Sequence, residues 1–166
     1  MALFLPSECA PGIAISDNYT VATKIGATST ETNVILTRPG CRHGSCADCA
    51  LSVTWYINRG SELFFGWARP DMSPITDKAY INHGSFVAAN GQLFGLGING
   101  NQTLPQVPPG STITLRYEPK WRKIYARVNG EDEVLCFTAV ADNLVPVVCL
   151  GVQGDSCSIR VRGDYL

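Results

Sequence analysis

From Gly110 to Val161 apolar and polar residues alternate with turn residues at such even intervals that short β-strands can be placed almost residue by residue. In Ser111 to Tyr117, Ile113, Leu115 and Tyr117 share one face while Thr112, Thr114 and Arg116 share the other, which is the period of a half-buried strand. The segment Lys123 to Asn129 runs into Asn129-Gly130, a pair that tolerates the positive φ angles of a type I′ turn, so a hairpin arm is predicted at Val134 to Phe137. Leu144 to Leu150 reads as a buried strand. Gly151 to Gly154 connects it to a last strand, Ser156 to Arg162, with Cys157, Ile159 and Val161 inward.

The earlier half carries weaker β-prone runs, Gly12 to Ser16, Thr20 to Lys24, Asn33 to Leu36, Ala50 to Tyr56 and Glu62 to Ala68, separated by Gly, Pro, Asn, Asp or Ser. Between Pro70 and Asn90 the pattern fades into loops around a short strand near Ala79 to Ile81. Many short strands at near-regular spacing predict an all-β sandwich of two antiparallel sheets. At 166 residues, 45% hydrophobic and 16% charged, the chain is expected to form one domain over residues 1–166, with 1–11 as a loosely ordered extension.

Charge narrows the partners. The formal net charge is −1 and the basic residues are scattered, apart from Lys120, Arg122, Lys123 and the pair Arg160 and Arg162, so no broad phosphate-binding surface is expected and nucleic acid is not a predicted partner. No apolar run approaches the roughly 20 residues that cross a bilayer, and the first residues lack a basic, then apolar, leader pattern. No membrane partner and an intracellular setting, cytoplasmic or nuclear, are expected. Seven cysteines without a tight secreted-domain framework fit reduced thiols.

Read in order, these segments resemble a SPRY domain, a module found in many ubiquitin ligases and their adaptors. The resemblance rests on Gly12 to Asp17 followed by Tyr19 to Thr23, on Leu51 to Trp55 followed by Phe65 to Ala68, and on Ile113 to Tyr117, Val128 to Gly130, Leu144 to Val148 and Ser158 to Val161. Phe86 stands where the family carries a tryptophan, and Arg38 to Asp48 is an insert. The resemblance implies a bent, concanavalin-like jelly-roll sandwich and a non-catalytic module, part of a larger intracellular protein such as a ubiquitin ligase, that binds a protein or short peptide through loops. Carried over by position, the binding residues are Thr23, Lys24, Tyr80, Asn82, Val152 and Gln153. Lys24 would pair with a ligand carboxylate, Tyr80 would supply an amphipathic contact, and Asn82 and Gln153 would bond a peptide backbone.

Two constellations suggest other chemistry. Cys41, His43, Cys46 and Cys49 lie within nine residues, and three thiolates with an imidazole are an ordinary tetrahedral zinc set; unliganded structural thiols and a redox pair at Cys46 and Cys49 are the alternatives. No other cofactor is expected. The acidic run Glu131 to Glu133, with Trp121 in a turn, admits a glycan-binding or glycan-cleaving sandwich as the rival function, whereas Trp55 and Trp67 sit inside strands and read as core. Cys136, Cys149 and Cys157 also fall on strands and read as small hydrophobes.

Overall fold

The computed structural model describes residues 3–27, 32–36, 50–60, 62–70 and 82–159. They form thirteen strands: β1 (Phe4–Cys9), β2 (Ile13–Ser16), β3 (Val21–Lys24), β4 (Thr32–Leu36), β5 (Leu51–Arg59), β6 (Leu63–Ala68), β7 (Gly84–Ala88), β8 (Leu93–Gly95), β9 (Thr112–Glu118), β10 (Lys123–Val128), β11 (Val134–Phe137), β12 (Val145–Leu150) and β13 (Ser156–Ile159). All pairings are antiparallel. One sheet has the order β1-β4-β12-β6-β7-β8 and the other β11-β10-β9-β5-β13-β3-β2, so the sequence-predicted sandwich is the observed architecture.

Alternation builds the core as the sequence indicated. Ile113, Leu115 and Tyr117 of β9, Val53, Trp55 and Ile57 of β5, and Cys157 of β13 point inward from the seven-stranded sheet. Leu63, Phe65 and Trp67 of β6 and Val148 and Leu150 of β12 meet them from the six-stranded sheet. The contact is aromatic at its centre: the rings of Trp55 and Phe65 lie 5.4 Å apart, and those of Trp67 and Tyr117 5.2 Å apart. Aromatic pairs of this kind add to area burial where two sheets interlock.

The Asn129-Gly130 turn is formed as the sequence predicts. Asn129 has φ +51° and Gly130 φ +74°, and the amide of Glu131 donates to the carbonyl of Val128 at 2.9 Å. The partner arm rejoins at Val134, which pairs with Ala126, so Asp132 and Glu133 loop out before β11 begins.

Three strands correct the sequence reading. The segment expected to be a loose extension at residues 1–11 contains β1, which pairs with β4 and buries Phe4, whose amide donates to the carbonyl of Tyr19 at 2.9 Å. The region read as fading after Pro70 contains β7 and, beyond it, β8, both hydrogen-bonded into the six-stranded sheet. The strand expected near Ala79 to Ile81 lies outside the described residues.

Candidate functional site

Register divides the sandwich into two poles. On β6, Leu63 pairs with Leu150 at one end and Ala68 with Val145 and Gly84 at the other, which separates the two poles by roughly 17 Å of strand. The pole near Leu63 gathers the segments after β3, β5 and β12; the pole near Ala68 gathers residues 17–20, 96–98, 119–122 and 138–144.

At the first pole the sequence-predicted residues Lys24, Val152 and Gln153 come together. Lys24 is 1% exposed, and its ammonium donates to the carbonyl of Gly151 at 2.9 Å. The backbone of Lys24 is held on both sides, its amide donating to the carbonyl of Asp155 at 2.9 Å and its carbonyl accepting from Gly154 at 2.8 Å. Buried Asp155 closes the turn, its carboxylate accepting from the amide of Val152 at 3.0 Å and its own amide donating to the carbonyl of Val152 at 2.9 Å. Gly151 is fixed from the far side by its amide, which donates to the carbonyl of Glu62 at 2.8 Å.

This buried polar frame displays what it does not enclose. Ile25 is 60% and Val152 41% exposed, and the side-chain amide of Gln153 donates to the carbonyl of Ile25 at 3.1 Å, binding the two loops edge to edge. Arg59, at the end of β5, and Glu62, just before β6, are exposed beside it, with Gly154 backed against the Arg59 guanidinium. The pole therefore presents two aliphatic side chains, an amide and charges of both signs on a pre-organised base.

The structure revises the other assignments. Lys24 is not at the surface, where a ligand carboxylate would find it; its face of β3 is the inner one it shares with Ala22, and its ammonium serves the Gly151 turn. Thr23 is half-buried on the outer face of the seven-stranded sheet, hydroxyl to hydroxyl with Ser156 at 2.9 Å. Asn82 is exposed but belongs to the opposite pole, because His83 is bonded to Arg69 and Gly84 pairs with Ala68. The carried-over residues thus do not form one surface. Tyr80, Cys41, His43, Cys46 and Cys49 lie outside the described residues. Ile25 was missed by the sequence reading; its signal was a large apolar residue at the end of a strand, just before a glycine.

Within the acidic run Glu131 and Asp132 are exposed, and Glu133 is held in an ion pair. Glu133 accepts from Arg116, at 3.1 and 3.0 Å from Nε and more closely from Nη2, while the other Arg116 terminal nitrogen is paired with Glu118. The hydrogen-bonded Arg116 guanidinium holds the Glu133 carboxyl below the usual carboxylate range, whereas a glycosidase acid needs a raised value. A shallow groove of about 500 Å³ beside this turn is lined by Leu104, Pro105, Val128, Gly130, Glu131, Asp132 and Val134, with no aromatic ring on which a sugar would stack. Trp121 is at the far end of β10, so the acids and the tryptophan of the glycan reading are separated by the length of a strand.

Three of the thiols on strands are shielded by placement, whereas Cys9 on β1 is half-buried. Cys136, Cys149 and Cys157 are buried, and burial pushes the Cys136 thiol up to about 11 and the Cys157 thiol higher.

No family model and no curated protein matches the sequence. Solved structures do resemble the fold. The SPRY domain of human HERC1 superposes with a TM-score of 0.74 at 19% identity, covering 96% of this chain and 99% of that one. The TRIM65 PSpry domain gives 0.71 at 12% identity, covering 97% and 92%, and a human SPRY domain gives 0.68 at 16%, covering 93% and 98%. At these identities the likeness carries architecture, and over nearly its whole length this chain has the fold of a SPRY domain.

Proposed function

We propose that this chain is a non-catalytic recognition module that holds a short peptide or loop of a partner protein at the pole formed by Ile25, Val152 and Gln153. The observation that carries this reading is the buried Lys24 and Asp155 frame. It commits an ammonium and a carboxylate to fixing two loops whose exposed side chains are chiefly apolar, an arrangement that lowers the ordering cost of an interface. Likeness to SPRY domains supports the same class, with a larger intracellular protein, such as a ubiquitin ligase, as the parent.

Affinity capture from cell lysate with the wild-type chain beside the double variant Ile25→Ser/Val152→Ser tests it. A protein retained by wild type, lost from the variant and kept by Asn82→Ala is the expected result. If capture survives the double variant while far-UV circular dichroism reports an intact fold, this pole is not the recognition surface. The zinc reading of Cys41, His43, Cys46 and Cys49 has its own test. Metal analysis of untagged protein should find about one zinc per chain if those ligands close a site, and a content near zero removes it.

A further inference from the structure

The opposite pole carries a second feature, independent of the first. Trp121 is 63% exposed in the turn between β9 and β10, and Leu96 and Ile98, each 42% exposed, lie in the segment after β8. Backbone contacts tie each of the two segments to residues 138–140. The amide of Thr138 donates to the carbonyl of Gly97 at 2.8 Å, and the amide of Val140 donates to the carbonyl of Arg122 at 3.1 Å. Arg122, at φ +53°, returns its Nε to the carbonyl of Val140 at 2.6 Å, and the hydroxyl of Tyr117 donates to the carbonyl of Ala141 at 2.9 Å. An exposed indole and two aliphatic side chains are thereby held on a braced loop pair.

Charge identifies the occupant. Lys120, Arg122 and Lys123 crowd the turn, the Lys120 ammonium lies 5.5 Å from the Trp121 ring centroid, and none of the three forms an ion pair with a described residue. Of the described acids at this pole, Glu118 is already paired with Arg116, which leaves exposed Asp17 and Asp142 against three cations. We propose that the Trp121 turn, with Leu96 and Ile98, docks an acidic segment of a partner protein that carries a large apolar side chain. Tryptophan and arginine are the residue types that most often anchor interfaces, and unpaired cations around an apolar centre select an acidic partner over a basic one. Leu96 and Ile98 offer no ring for stacking, and the chain's net charge is −1, so a protein segment fits this surface better than a single-stranded nucleic acid.

The test is selection of twelve-residue displayed peptides on the full chain, followed by titration of the synthesised winners while tryptophan emission is read. Trp55 and Trp67 are fully buried, so a blue shift on binding reports Trp121. Acidic peptides with a leucine or aromatic residue are expected, with binding weakened about tenfold or more by Trp121→Ala and by Lys120→Glu, and weakened by salt. Both variants change exposed turn residues, and circular dichroism checks their fold. Ile25→Ser/Val152→Ser should leave this binding unchanged, which separates its failure from that of the first pole. Enrichment of basic or uncharged peptides, no enrichment, binding that survives Trp121→Ala, loss in the Ile25/Val152 variant, or displacement by a single-stranded oligonucleotide would each overturn the proposal.

Discussion

Lys24 shows how one side chain can look functional and be structural. The alternation of β3 places it on the buried face with Ala22, so its inward direction was present in the period of two; its charge argued for the surface instead. What the sequence could not convey was the acceptor waiting inside, the Gly151 carbonyl, which comes from a turn more than a hundred residues away. Lys24→Met keeps the aliphatic stem and leaves that carbonyl unpaired, so it should cost about 1–3 kcal/mol, seen as a lower urea midpoint at unchanged slope. Glu133 gives a pH-dependent counterpart. Its carboxyl is held below its unfolded value by Arg116, so the unfolded chain binds the proton first on acidification. Its contribution is whole above about pH 4.3 and is lost as pH falls through the lower folded value. Urea titrations of Glu133→Gln across pH 2 to 6 should therefore show a shallower acid loss of stability than wild type; parallel curves would refute the assignment.

Among the elements, legibility followed exposure of one face. Strands β9 and β10, with one side wet, announced themselves through alternation and β11 through the Asn129-Gly130 turn before it, and their bounds fall within a residue of those expected. Strand β7 is buried at every position and β1 carries Pro6 on a sheet edge, so neither shows the alternating pattern by which a strand is read. Strand β6 holds a tighter constraint than its apolar run suggests. A Cβ on Gly66 would lie 2.3 Å from the Ser85 carbonyl oxygen and 2.5 Å from the Phe86 ring of neighbouring β7. Gly66→Ala must push two hydrogen-bonded strands apart, and a loss of about 1–3 kcal/mol or more is expected in thermal or urea unfolding. An unchanged midpoint would mean that the β6 and β7 pairing is looser than the register indicates.

At the scale of the molecule, the sandwich separates what the sequence had grouped. Asn82 and Gln153 were expected to share a peptide, yet the antiparallel run of β6 sends their loops to opposite poles, and only sheet register reveals this. The core also dictates chemical accessibility. Cys136, Cys149 and Cys157 should resist a thiol reagent in native buffer and react on unfolding, as peptide mapping of labelled protein will show; rapid native labelling at any of them would contradict their burial. Cys136 keeps its proton up to about pH 11 in the fold while unfolded thiols ionise near pH 8.5, so between these values rising pH favours the unfolded chain.

Strand β1 borders the six-stranded sheet and β2 borders the other, so the chain begins by stitching the two sheets together across the few residues from Ala10 to Gly12. A version trimmed to start at Gly12 would retain most of the core but strip β4 of one neighbour, leaving a row of open amides and carbonyls ready to recruit another strand. Size-exclusion chromatography should find such a protein more self-associated than the full chain, the outcome expected if β1 guards the β4 edge against aggregation.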